Sequence, residues 1–220
     1  MLASYPPMTD NPSSSELCAI AARIRNCRIC RDAPQGVPLP HEPRPVLRVS
    51  TTARLLVASQ APGTKVHLTG LSFNDASGDR LRQWMGISRD DFYDEAKVAI
   101  VPMGFCFPGQ APGKADLPPR RECREAWHDG LLRLLPQLEC ILAIGRFAQA
   151  YHFARVGRPL PKSFTVDATV HRYAELAGAN PRIIPLPHPS WRNTGWLRRN
   201  PWFEAELLPR LRSEVARAIQ

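Results

Sequence analysis

The stretch "ECILAIGRFAQAYHFARVG", Glu139 to Gly157, reads as a strand handed straight to a helix. "ECILAIG" is nearly continuous in apolar residues, the pattern of a strand buried on both faces. "GRFAQAYHFARVG" is a helical segment that stops at glycine, a residue suited to the end of a helix. Strand followed by helix is the repeating unit of an α/β fold.

Three more runs of the first kind lie outward from it: "RLLVAS" (54–59), "KVAIVPM" (97–103) and "RIIPLP" (182–187). Helical segments separate or follow them. "SGDRLRQWMGI" comes after a loop, "PPRRECREAWHDGLLRLLPQ" opens on proline as helices often do, and "NPWFEAELLPRLRSEVARAIQ" closes the chain. The alternation predicts an α/β fold with a central, mainly parallel four-stranded sheet covered on both sides. In such sheets the ligand site lies outside the carboxyl ends of the strands. Three loops rich in Gly, Pro and polar residues leave those ends: "QAPGTKVHLTGLSFNDASGD", "GFCFPGQAPGKADLPP" and "HPSWRN".

At 220 residues the chain fits one large domain. Apolar content of 44% with 22% charge describes a globular protein. No apolar run reaches the ~18 residues of a membrane span. "MLASYPPMTDNPSSS" has neither a basic nor an apolar region of a secretory signal, so residues 1–14 are expected to be a disordered tail and 15–220 one domain. A cytoplasmic, reducing compartment is then expected, with six unpaired cysteines. The net charge of +9 suits a polyanionic partner such as nucleic acid.

Two details stand out. In "LPHPSWRN", Pro187 and Pro189 hold His188 in stiff, extended backbone, and Trp191, Arg192, Arg198 and Arg199 follow closely. Cys27 and Cys30 form C-x2-C, Cys106 sits just past the second strand, and Cys123 opens the next helix. Four thiolates suit either zinc or an iron–sulfur cluster, and spacing alone does not separate the two. Cys18, on an apolar helical face, and Cys140, inside a strand, are expected to pack as small hydrophobes.

"QAPG" after the first strand, Phe73 beyond it and "HPS" after the last strand resemble the uracil-DNA glycosylase superfamily, and the cysteine layout resembles its iron–sulfur branches, families four and five. The resemblance spans roughly residues 18 to 212. It implies a three-layer αβα fold, a structural [4Fe–4S] cluster on Cys27, Cys30, Cys106 and Cys123, and hydrolysis of the bond between a base and deoxyribose in single- or double-stranded DNA. A monomer is expected. Carried over by position, Phe73 would stack on the flipped base, His188 would donate to its O2, and Ser190, Trp191 and Arg192 would press the phosphates. "FNDASGD" is similar to the family-five segment, whose aspartate matches Asp75 and serves the attacking water. Asp75 also stands where a helix N-cap is wanted.

The departures carry information. Gln60 and Ala61 leave the first motif without the carboxylate of families four or one. "VPMGFC" offers no asparagine to read the uracil edge, and Gly63 stands where family one excludes the thymine methyl with tyrosine. Two other readings follow: a glycosylase for another lesion, such as hypoxanthine or a mismatched base, and a non-catalytic iron–sulfur DNA-binding protein.

Overall fold

The computed structural model describes residues 13–113, 116–176 and 180–220. Of the expected tail, residues 1–12 lie outside the described residues. Ser13 and Ser14 belong to a helix: Ser13 caps α1 (Ser14–Arg25) and completes a capping box with Glu16.

Four strands form one sheet, β1 (Leu55–Ala58), β2 (Val98–Ile100), β3 (Cys140–Ile144) and β4 (Arg182–Leu186), in the order β2-β1-β3-β4. Every pairing is parallel, with Leu55 beside both Val98 and Cys140, and Cys140 beside Arg182. Pro185 sits inside β4, where its missing N–H is tolerated because β4 is an edge strand. Between the strands lie α2 (Ile29–Asp32), α3 (Thr64–Thr69), α4 (Ala76–Met85), α5 (Arg89–Tyr93), α6 (Arg121–Arg133), α7 (Gly145–Arg155), α8 (Val166–His171) and α9 (Tyr173–Leu176). After β4 come α10 (Thr194–Arg199), a π-helical turn at Phe203–Leu207 and α11 (Leu208–Ala218).

Alternate residues of each strand feed two separate cores. Leu56, Ala58, Ala99, Ile141, Ala143 and Ile183 pack with α1, α6 and α7 through Leu17, Leu131 and Phe153. Leu55, Val57, Val98, Leu142, Ile184 and Leu186 pack with α4, α8 and α11 through Leu81, Val170 and Leu211. A sheet buried on both faces between helical layers is the αβα sandwich that the continuous apolar runs predict.

Two details differ from expectation. Cys140 is fully buried, but Cys18 is exposed. The buried stripe of α1 is Leu17, Ala21 and Ile24, and Cys18 falls off it. α6 begins at Arg121 rather than at the proline pair before it. No helix among the described residues is long and apolar enough to cross a membrane.

Candidate active site

The chain leaving β1 goes to β2 on one side, while β3 and β4 lie on the other, so the order reverses between β1 and β3. That switch point is where an open sheet leaves a crevice. α7 follows β3 with no loop, through Gly145 at a φ of 79°. Gln60 fills the space: its side-chain amide nitrogen would stand 3.3 Å from a Cβ at Gly145. The β2 exit is laced to the β1 exit by Met103 N donating to Ser59 O at 2.8 Å and Gly104 N to Gln60 O at 2.9 Å.

The segment ahead of α4 is a tight turn built around Phe73, which has a φ of 57°. That left-handed conformation is rare for a bulky residue and is held only where the surroundings dictate it. Arg82 Nη1 donates to the Phe73 carbonyl at 3.2 Å, Phe92 meets the ring edge-on at 5.8 Å, and Arg89 Nη2 holds Asn74 Oδ1 at 3.1 Å. A Cβ at Gly78 would lie 1.7 Å from the Phe73 carbonyl oxygen, so only glycine lets α4 approach. Asp75 is the N-cap of α4, its Oδ1 accepting from Gly78 N at 2.9 Å. The capping reading of Asp75 is thus realised, and the same residue also lines the cleft.

β4 delivers His188 from the far side. Gln149, buried in α7, donates to Leu186 O at 3.1 Å and secures the strand end. Asn193 Nδ2 donates to His188 O at 2.7 Å, and Arg80 Nη1 reaches from α4 to Ser190 O at 2.9 Å. Burial holds the half-buried His188 imidazole below its ordinary pKa, with Arg192 acting the same way. The Asp75 and Asp116 carboxylates pull in the opposite direction without prevailing.

These loops enclose an open cleft of about 650 Å³. Gln60, Ala61, Gly63, Phe73, Asp75, His188, Ser190, Trp191 and Arg192 all line it. Arg198 and Arg199 do not; they are exposed on α10, beyond the rim. Trp191 stands 76% exposed with the Arg192 guanidinium 5.7 Å from its ring centroid. Sequence reasoning missed Lys65, Ser72, Gln110 and Asp116, which also line the cleft. The polar, Gly- and Pro-rich loop after β2 hinted at the last two, but no local pattern singles them out.

On the opposite face of the sheet, Cys30, Cys106 and Cys123 are buried and Cys27 packs beside them. Two of the sulfurs meet an N–H donor: Trp127 Nε1 donates to Cys27 at 3.2 Å and Phe105 N to Cys123 at 3.4 Å. Cys123 hydrogen-bonds Cys30, which lowers the Cys30 pKa, while burial pushes Cys106 up to about 12. Among the described residues no three Cys, His, Asp or Glu side chains are grouped to hold a single metal ion.

A doubly covered parallel sheet with its cleft at the switch point, rimmed by exposed Trp and Arg, defines an α/β protein that presents its site to a large anionic partner. The family follows from the chain itself. The model of the uracil DNA glycosylase superfamily matches residues 48–212, and the chain belongs to that superfamily. It is a DNA glycosylase, a DNA-binding enzyme of base excision repair.

Proposed function

We propose that this glycosylase removes uracil from DNA by hydrolysis of its N-glycosidic bond, leaving an abasic site. The observation that carries the reading is the meeting of Phe73, Asp75 and His188 in one cleft, from loops that are far apart in the chain. Bringing the base out of the stack costs a few kcal/mol, and stacking on Phe73 recovers part of it. As the bond breaks, its electron pair goes to the base nitrogen, leaving cationic character on the sugar and negative charge on the base. His188, kept neutral by burial, donates an N–H to the base O2. Asp75 caps α4 through Oδ1, which leaves its second oxygen to face the sugar and orient water. That water forms the new bond to C1′, and its proton passes to Asp75. Gln60 and Ala61 frame the pocket without supplying a second carboxylate. Ser190, Trp191 and Arg192 bear on the DNA, with Arg198 and Arg199 farther along the backbone.

Cys27, Cys30, Cys106 and Cys123 fit a structural [4Fe–4S] cluster, as in the superfamily's iron–sulfur branches. The support is the gathering of the four cysteines on one face of the sheet, with N–H donors on Cys27 and Cys123 of the kind that thiolates on a cluster accept. A cluster spreads four thiolates around several irons, so it does not need three ligands gathered on one ion as zinc does. The missing asparagine after β2 and the bare Gly63 favour a second reading, in which a lesion other than uracil is preferred. Single-turnover excision on oligonucleotides bearing uracil, hypoxanthine and mismatched bases decides between them. Iron and acid-labile sulfide are expected at about four each per chain; stoichiometric zinc would defeat the cluster assignment.

A further inference from the structure

The loop between Cys106 and Cys123 brings a second carboxylate to the cleft. Asp116 lines it together with Gly63 and His188. Its anchoring is defined: Gln110 and Asp116 form an antiparallel bridge, and Gln110 Nε2 donates to Asp116 Oδ1 at 3.1 Å. The other oxygen, Oδ2, would stand 3.5 Å from a Cβ at Gly63, so the carboxylate lies directly beside the bare glycine at the pocket wall. The charge of Asp116 reaches His188 from a different element than does that of Asp75. An ionised carboxylate accepts hydrogen bonds and donates none. Against a base edge it pairs with an N–H and is repelled by a carbonyl oxygen. "VPMGFC", at the β2 exit, carries no amide side chain to read that edge.

We propose that Asp116 is a specificity-determining residue whose free carboxylate oxygen accepts the ring N–H of the flipped base. The proposal rests on the base-pocket reading of the cleft. Uracil has a single donor on its pairing edge, the N3–H, and Asp116 satisfies it. A base alkylated at that nitrogen loses the bond and sets its alkyl group against the carboxylate. Asp116 also opposes the negative charge that develops on the departing base. Replacing it by asparagine therefore keeps an acceptor for the N–H while removing the opposing charge.

The test is single-turnover excision from matched oligonucleotides carrying uracil or N3-methyluracil, by the wild type, Asp116→Ala and Asp116→Asn, with thermal melting of each protein. The wild type is expected to prefer uracil strongly. The preference should fall by about tenfold or more in Asp116→Ala, on the scale of losing one base-edge hydrogen bond. Asp116→Asn should retain the preference, because its amide oxygen still accepts the N–H. An unchanged preference in Asp116→Ala, whatever its melting temperature, overturns the role of Asp116 and leaves the glycosylase reading standing. No excision of uracil by the wild type overturns the base-pocket reading, and this inference with it.

Discussion

Asp75 has two carboxylate oxygens and two demands on them. Oδ1 caps α4 through Gly78 N, and the second oxygen is assigned here to the water and the sugar. The demands separate by substitution, because asparagine caps a helix about as well as aspartate while alanine does not. Asp75→Asn is therefore expected to melt like the wild type and to excise far more slowly. Asp75→Ala should lose the same activity and, in addition, roughly 1 kcal/mol of stability. Full excision by Asp75→Asn would reduce the residue to a cap. His188 makes a complementary prediction through pH. Its pKa in the folded protein lies below the ordinary 6.5, chiefly because it is buried. A neutral imidazole is the donor, so activity should persist below pH 6.5 and be lost only as pH falls through that lowered value. His188→Ala should cut the rate by roughly 10²–10³-fold, the scale of one lost oxyanion donor, and the acid limb should disappear from what remains. A pH–rate profile of both proteins under single-turnover conditions checks this.

The turn that introduces α4 shows how an element places chemistry it does not itself perform. Phe73 is held at positive φ, and α4 closes on its carbonyl only because residue 78 has no side chain. Gly78→Ala would drive a methyl into backbone, which must shift; overpacking of this kind costs about 1–3 kcal/mol. Excision should fall with it, although Gly78 is not expected to touch the base. Melting and kcat/KM on the same preparation test the pair of effects, and a stable variant with normal activity would refute the packing argument. The sequence disclosed the chemical words here, "FNDASG" and "HPS", but not the backbone that makes them work. A positive φ at phenylalanine has no compositional signature. The four strands were legible because burial on both faces leaves unbroken apolar runs, as in "CILAI". The short helices α2, α3, α5, α8, α9 and α10 were not, since four to six residues are stabilised by tertiary contacts rather than by a periodic stripe. Asp116 stayed hidden for a related reason: Gly63 and His188, which line the same cleft, are remote in the chain, and only the fold unites them.

At the scale of the whole molecule, the net charge of +9 is unevenly spent. Many arginines are occupied inside the protein: Arg82 with Asp79, Arg120 with Glu122, Arg155 with Asp129, Arg182 with Glu214. These pairs brace the elements and offer little to a phosphate. Around the cleft the situation differs. Arg192 lies over the exposed Trp191 ring, and Arg198 and Arg199 are exposed in the last turn of α10. α10 is itself fixed by Trp196 donating to the Asp167 carboxylate and by Asn200 Nδ2 donating to Trp196 O. Its two arginines are therefore presented on a rigid support next to the His188 loop, which suits a strand whose base has entered the pocket. Each phosphate neutralised on B-DNA contributes about −0.9 to the slope of log affinity against log salt. Replacing Arg192, Arg198 and Arg199 together by alanine should weaken DNA binding and flatten that slope by up to about 2.7, if each meets one phosphate. The loss should be similar for lesion-bearing and undamaged DNA, because phosphate contacts carry no base information. Titrations across a range of salt concentrations, on both DNAs, give the slope and the difference. A triple variant with the parent slope would move the DNA path away from α10 to the other rim of the cleft, with Lys65 the next cation to remove.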